Sequence, residues 1–148
     1  MRLFLSTALL LAASHNATAF ETQFAKATTP GKSILLLGHA SVVNNGCLMK
    51  PATIAITQQP AHGRLDMRAG SQQIKGGVGI IDRCIGKTGP ATMVSYVPQA
   101  GFVGTDELRY TVTFPSVSGT PQTRDFHARV LVRPLSQTLE GQGWKRAQ

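Results

Sequence analysis

The sequence predicts an all-β domain built as a two-sheet sandwich, and three observations carry that prediction. Apolar and polar residues alternate in short runs, most cleanly over 107–113, where Leu108, Tyr110 and Val112 share one face. Fifteen glycines and eight prolines punctuate a chain rich in Val, Thr and Ile, a composition that favours short strands and turns over long helices. No stretch long enough for a stable helix sustains a 3.6-residue apolar period. A length of 148 residues suits one domain with short appendages. With 42% hydrophobic and 15% charged residues, the composition excludes an intrinsically disordered chain.

Residues 1–19 read as a secretory signal peptide. Arg2 supplies the positive start, Leu3 to Ala13 the apolar stretch, and Ala17-Thr18-Ala19 the small-x-small cleavage site. The apolar stretch is about half the roughly 20 residues that a membrane span requires. Cleavage before Phe20 removes one positive charge, so a chain of net charge +8 stays strongly basic. The expected product is exported, periplasmic or extracellular, with no membrane span.

Residues 20–32 form an unpatterned lead. The run 33–37, bounded by Gly31 and Gly38, suits a buried strand. Over 53–57 the alternation places Ile54 and Ile56 on one face. Pro60-Ala61-His62-Gly63 is a turn, because proline presets φ and glycine accepts a positive one. After it, Leu65 and Met67 are expected inward, with Arg64, Asp66 and Arg68 outward. Residues 69–91 hold six glycines and read as a long loop with a strand near Val78–Ile81. Strands follow at 93–97, ended by Pro98, at 107–113, and at 125–133, where Phe126, Ala128, Val130 and Val132 face the core. About seven short strands over 33–133 describe an immunoglobulin-like β-sandwich. Residues 134–148 are left as a flexible basic tail, in which Trp144 beside Lys145 and Arg146 has the chemistry to dock on an acidic or lipid surface.

Export decides how the two cysteines are read. In an oxidising compartment an even pair normally forms a disulfide, here Cys47–Cys84, tying an early strand to the glycine-rich loop. The other reading, a reactive thiol, needs an electropositive pocket and a nearby base.

The segment Asp106-x-Leu108-x-Tyr110-x-Val112 has the spacing of a tyrosine corner. Asp106 is expected to satisfy backbone donors at the corner, and Tyr110 to bury its ring and bond a backbone group through its hydroxyl. Pro60-Ala61-His62-Gly63-Arg64-Leu65, Tyr96-Val97-Pro98, and Phe102-x-Gly104-x-Asp106-x-Leu108-x-Tyr110 occur in an order that resembles the bacterial immunoglobulin-like and cadherin-like modules found in tandem in large surface proteins. The match runs from about residue 53 to Val132. It implies the sandwich fold and a non-enzymatic surface role. The chain departs from the pattern in having one copy, a Cys-bearing insertion at 70–91, and none of the acidic linkers that hold calcium between cadherin-like repeats. The fold carries over; adhesion and a metal do not follow from it.

Chemical motifs are few. Gly86-Lys87-Thr88 imitates the end of a phosphate-binding loop, but the required earlier glycine is Ile81. A dinucleotide fingerprint beginning at Gly77-Val78-Gly79 would need its last glycine at Asp82. His39, His62 and His127, even with Asp66, have no zinc-ligand spacing, and Asp106 and Glu107 are better used at the corner than on calcium. No cofactor, metal or catalytic set is predicted, and export argues against a nucleic-acid partner. Alternation leaves Arg109 on one strand and His127, Arg129 and Arg133 on the next facing outward. That face is either a solvated surface or a docking site for an acidic envelope polymer or acidic protein face. The leading functional expectation is an exported, non-enzymatic binding or envelope structural module. The alternative is a small exported enzyme whose site forms only in the fold.

Overall fold

Eight strands form two four-stranded sheets in the computed structural model, which describes residues 21–76 and 82–134. In chain order they are β1 (Glu21–Thr28), β2 (Ile34–Val42), β3 (Met49–Pro51), β4 (Thr53–Gln58), β5 (Gly63–Gln73), β6 (Thr88–Pro98), β7 (Gly104–Phe114) and β8 (Gln122–Val132). One sheet has the order β1-β8-β7-β4 and the other β3-β2-β6-β5. Placing β4, β7 and β8 in one sheet and β2, β6 and β5 in the other is the strand partition of an immunoglobulin-like sandwich. Among the described residues the one helical element is a 3-10 turn, Asp82–Cys84.

Period-two patterning builds the core as expected. Leu108, Tyr110 and Val112 of β7 and Phe126, Ala128, Val130 and Val132 of β8 pack against Leu36 of β2 and Val94 and Tyr96 of β6. Removing each large aliphatic side chain from water stabilises the fold by roughly 1.5–3 kcal/mol, so these two strands anchor the domain. At the far edge, Gly63 of β5 sits where a Cβ would lie 2.5 Å from the Tyr96 ring and 2.7 Å from the Val97 carbonyl oxygen. Only glycine lets the turn backbone approach that closely.

Three expectations change. The lead is not irregular: residues 21–28 form β1, which runs parallel to β8 from Glu21↔Asp125 to Thr28↔Val132, so the sandwich begins well before residue 33. A half-buried edge strand needs few apolar residues, and here Phe24 alone reaches the core. The glycine-rich loop is shorter than 69–91, because β5 extends to Gln73 and β6 starts at Thr88, pairing to the end. Met67, expected inward, is 43% exposed: it lies on the Val94 side of β5, but at the sandwich margin where nothing covers it. The strand expected near Val78–Ile81, the signal segment 1–19 and the tail from 135 onward lie outside the described residues.

A second apolar cluster lies apart from the main core. Met49, Ile74 and the Cys84 side chain are buried there, with Ala40, Val42 and Cys47 packed alongside. The Cys47–Cys84 disulfide, with a Cα–Cα distance of 5.4 Å, joins the β2–β3 loop to the 3-10 turn of the β5–β6 connection. Gly89 leaves the space that the Met49 side chain fills, since a Cβ there would meet its sulfur at 2.6 Å.

Candidate functional site

The corner motif is built around one carboxylate. Asp106 is 3% exposed. Its Oδ1 accepts the backbone N–H groups of Ala61 at 2.9 Å and Glu107 at 3.1 Å. Its Oδ2 accepts the N–H of His62 at 2.8 Å and the Tyr96 hydroxyl at 3.0 Å. Both oxygens are thereby used to hold the β4–β5 turn against the start of β7. The His62 carbonyl lies 3.3 Å from the Tyr96 hydroxyl and accepts the Gln99 N–H at 2.8 Å. Burial, reinforced by the Asp106 carboxylate, pushes the Tyr96 phenol well above its ordinary range. The His62 ring stacks on Phe102, with centroids 4.2 Å apart.

Tyr110 departs from its expected role. Its ring is fully buried and stacked with Phe126, as the sequence predicts, but its hydroxyl bonds the side chain of His39 at 3.1 Å and not a backbone group. The backbone-bonding tyrosine of this corner is Tyr96, one strand earlier. His39 is 4% exposed, and edge contacts to Tyr110, Phe114 and Phe126 surround its ring. Burial lowers its pKa to about 4, so the ring is neutral at pH 7. Burial likewise raises the Tyr110 phenol well above its usual value. His39, His62 and His127 thus occupy three separate places: core, corner and outer face.

The expected basic face exists as an arrangement of strands but not as a field of free cations. Cross-strand register sets Arg109 opposite His127 and Glu107 opposite Arg129. Arg109 is ion-paired with Glu21 of β1. Glu107 accepts the Arg129 Nε at 3.0 Å and lies 3.2 Å from His127 Nε2. Those hydrogen bonds hold the Glu107 carboxyl below its ordinary range. Thr111 donates to Asp125 at 2.5 Å on the same face. Arg133 lies past the end of β8, where its backbone N–H donates to the Thr28 carbonyl at 2.9 Å. Alternation alone puts Glu107 and Arg129 on outward faces but does not set them opposite each other. Glu21 was not foreseen at all, because β1 had no pattern.

A concavity lies elsewhere, beside β2, and is lined from both sheets. It is an open groove of about 1150 Å³. Its walls include Lys26 of β1, Leu35 of β2, Gln72 of β5, Lys75 beyond it, and Gln122 and Arg124 of β8. β2 pairs with β6 on one side, but on the other it meets β3 only from Ala40 onward. The β1–β8 pairing starts at Asp125, so Gln122 to Arg124 precede it. The groove follows these two unpaired stretches of strand edge. Its described charged lining residues are Lys26, Lys75 and Arg124, with no carboxylate or histidine among them. Nothing in the sequence signals this grouping, since the three cations come from three distant segments.

The geometry defines a disulfide-stapled all-β sandwich whose buried polar groups serve the fold. Comparison with known protein families, with curated proteins and with solved structures finds no match to this chain. Among the described residues no helix is long and apolar enough to cross a membrane.

Proposed function

We propose that the chain is an exported, non-enzymatic immunoglobulin-like module that binds or braces an acidic component of a bacterial envelope. What supports this reading above all is how the polar groups are spent. Asp106, Tyr96, His39 and Tyr110, the titratable side chains buried among the described residues, are each committed to holding the turn or the core. The function then falls to surfaces, and the surface is basic, with a net charge of +8 for the whole chain. The disulfide in a domain this small fits an oxidising compartment, in line with the signal-like residues 1–19. An acidic partner on the outer sheet face has to compete with Glu21 and Glu107 for Arg109 and Arg129.

Expression of the full chain in a bacterial host, followed by fractionation and intact-mass analysis, tests the compartment. The expected product starts at Phe20, is found outside the cytoplasm and has no free thiol. Retention on a native envelope fraction, released by salt because the attraction is screened, tests the role. Cytoplasmic protein with two free thiols, or an envelope fraction that retains nothing at low salt, overturns the reading.

A further inference from the structure

We infer that the groove beside β2 is a binding site for an extended acidic polysaccharide. This rests on the proposed reading of the chain as a binding module and names the ligand and its place. The first observation is the direction of two cations. Lys26 is paired with Val130, and Arg124 with Val112; both valines are fully buried, and cross-strand partners lie on the same side of a sheet. Lys26 and Arg124 therefore stand on the core-facing side of their sheet, at the groove beside β2. An inward-pointing charge on an edge strand is one way to block strand addition, and that accounts for Lys26. It does not account for Lys75, which reaches the same groove from the opposite sheet.

The second observation is that these cations have no counter-charge. None of the three takes part in an ion pair among the described residues, whereas Arg109 and Arg129 on the outer face do. Glu21 and Glu107 lie against the outer arginines, and no carboxylate is among the residues that line the groove. The third is the remaining lining. The Gln72 and Gln122 side chains project amide groups that have no hydrogen-bond partner among the described residues, and Leu35 is 43% and Val117 69% exposed. Amides meet sugar hydroxyls, aliphatic side chains meet the C–H faces of sugar rings, and Lys and Arg meet carboxylate or phosphate groups. The groove is open, and its three cations stand among amides and aliphatic side chains, a mixture that suits a glycan better than a denser polyanion.

Isothermal titration of the purified, disulfide-intact protein with oligogalacturonate, a neutral maltodextrin of equal length and poly-L-glutamate tests this. Oligogalacturonate is expected to bind at least tenfold more tightly than either of the others. K75E and R124E, both at exposed positions, are expected to weaken it at least fivefold each while leaving the melting temperature unchanged, and Gln72→Ala to weaken it a few-fold. Equal binding of maltodextrin overturns the requirement for an acidic ligand, and equal binding of poly-L-glutamate overturns the glycan assignment. Retained affinity in K75E and R124E overturns the groove. If affinity falls instead in the triple variant R109E/R129E/R133E, the module reading stands and the groove falls. If no acidic ligand binds, and the envelope fraction retains nothing either, both fall.

Discussion

Tyr110 and His39 illustrate how one side-chain pair decides behaviour that no local pattern announces. The hydroxyl of Tyr110 is the partner of the His39 ring inside the core, at 3.1 Å. Tyr110→Phe keeps the ring stack on Phe126 but leaves that ring nitrogen without its partner. Stability should fall by about 2 kcal/mol, the typical cost of an unsatisfied buried group; a urea midpoint that does not move would contradict the pairing. The same histidine sets a pH dependence. Its pKa is lowered from 6.5 to about 4, so below pH 6.5 the unfolded chain takes a proton that the native state refuses. The unfolded state then binds more protons, and stability falls as pH drops from 6.5 towards 4, with the full contribution present above 6.5. The slope is at most about 1.4 kcal/mol per pH unit. Urea unfolding at pH 7.5, 5.5 and 4.5 should show that decline in the natural protein and a shallower one in His39→Gln. Parallel profiles would remove His39 from the account. At this scale the sequence revealed that Asp106 caps the corner and that Tyr110 is buried. It did not reveal Ala61, His62 and Tyr96 as Asp106's partners or His39 as Tyr110's, because spacing along a chain does not encode which distant segment fills the space opposite.

Elements differ in how much they owe to their own residues. β7 and β8 announce themselves, because one face of each is buried over most of its length and the alternation is correspondingly strict. β5 and the far half of β6 do not: the residues after Leu65 on β5 are mostly exposed, and small or polar residues continue the hairpin where the sequence suggests loop. What holds the end of that hairpin is the small cluster of Met49, Ile74 and Cys84 together with the disulfide. Cys84→Ser should therefore lower stability under oxidising conditions, by roughly 4 kcal/mol if closing a 37-residue loop acts through chain entropy. The same substitution measured in reductant should change little. Equal unfolding midpoints for the oxidised natural protein and the variant would mean that the cluster holds the loop unaided.

For the whole molecule, the joining of its two ends matters most. β1 pairs with β8 across nearly the full chain, and such long-range pairing slows folding because loop closure precedes any reward in contacts. β1 also covers the edge of β8 from Asp125 to Val132 and brings Glu21 to Arg109. Deleting residues 21–28 should lower the melting temperature and leave an exposed strand edge that promotes association. Sedimentation velocity over a range of concentrations should then show dimers or larger species. A monomeric deletion variant of natural stability would reduce β1 to an ornament of the sheet.

By itself the sequence determined the all-β class, the inward faces of β7 and β8, the cysteine partnership and the capping role of Asp106. Each of these is a period-two signal read within one strand, the spacing of a local motif, or a pairing with no rival. Only the tertiary structure decided that β1 exists, that Arg109 and Arg129 meet glutamates, and that Lys26, Lys75 and Arg124, without an ion pair among the described residues, line one groove. The physical reason is that alternation states which way a side chain points but not what it meets. What it meets depends on strand order and register, which are settled by packing between segments as far apart in sequence as Glu21 and Asp125.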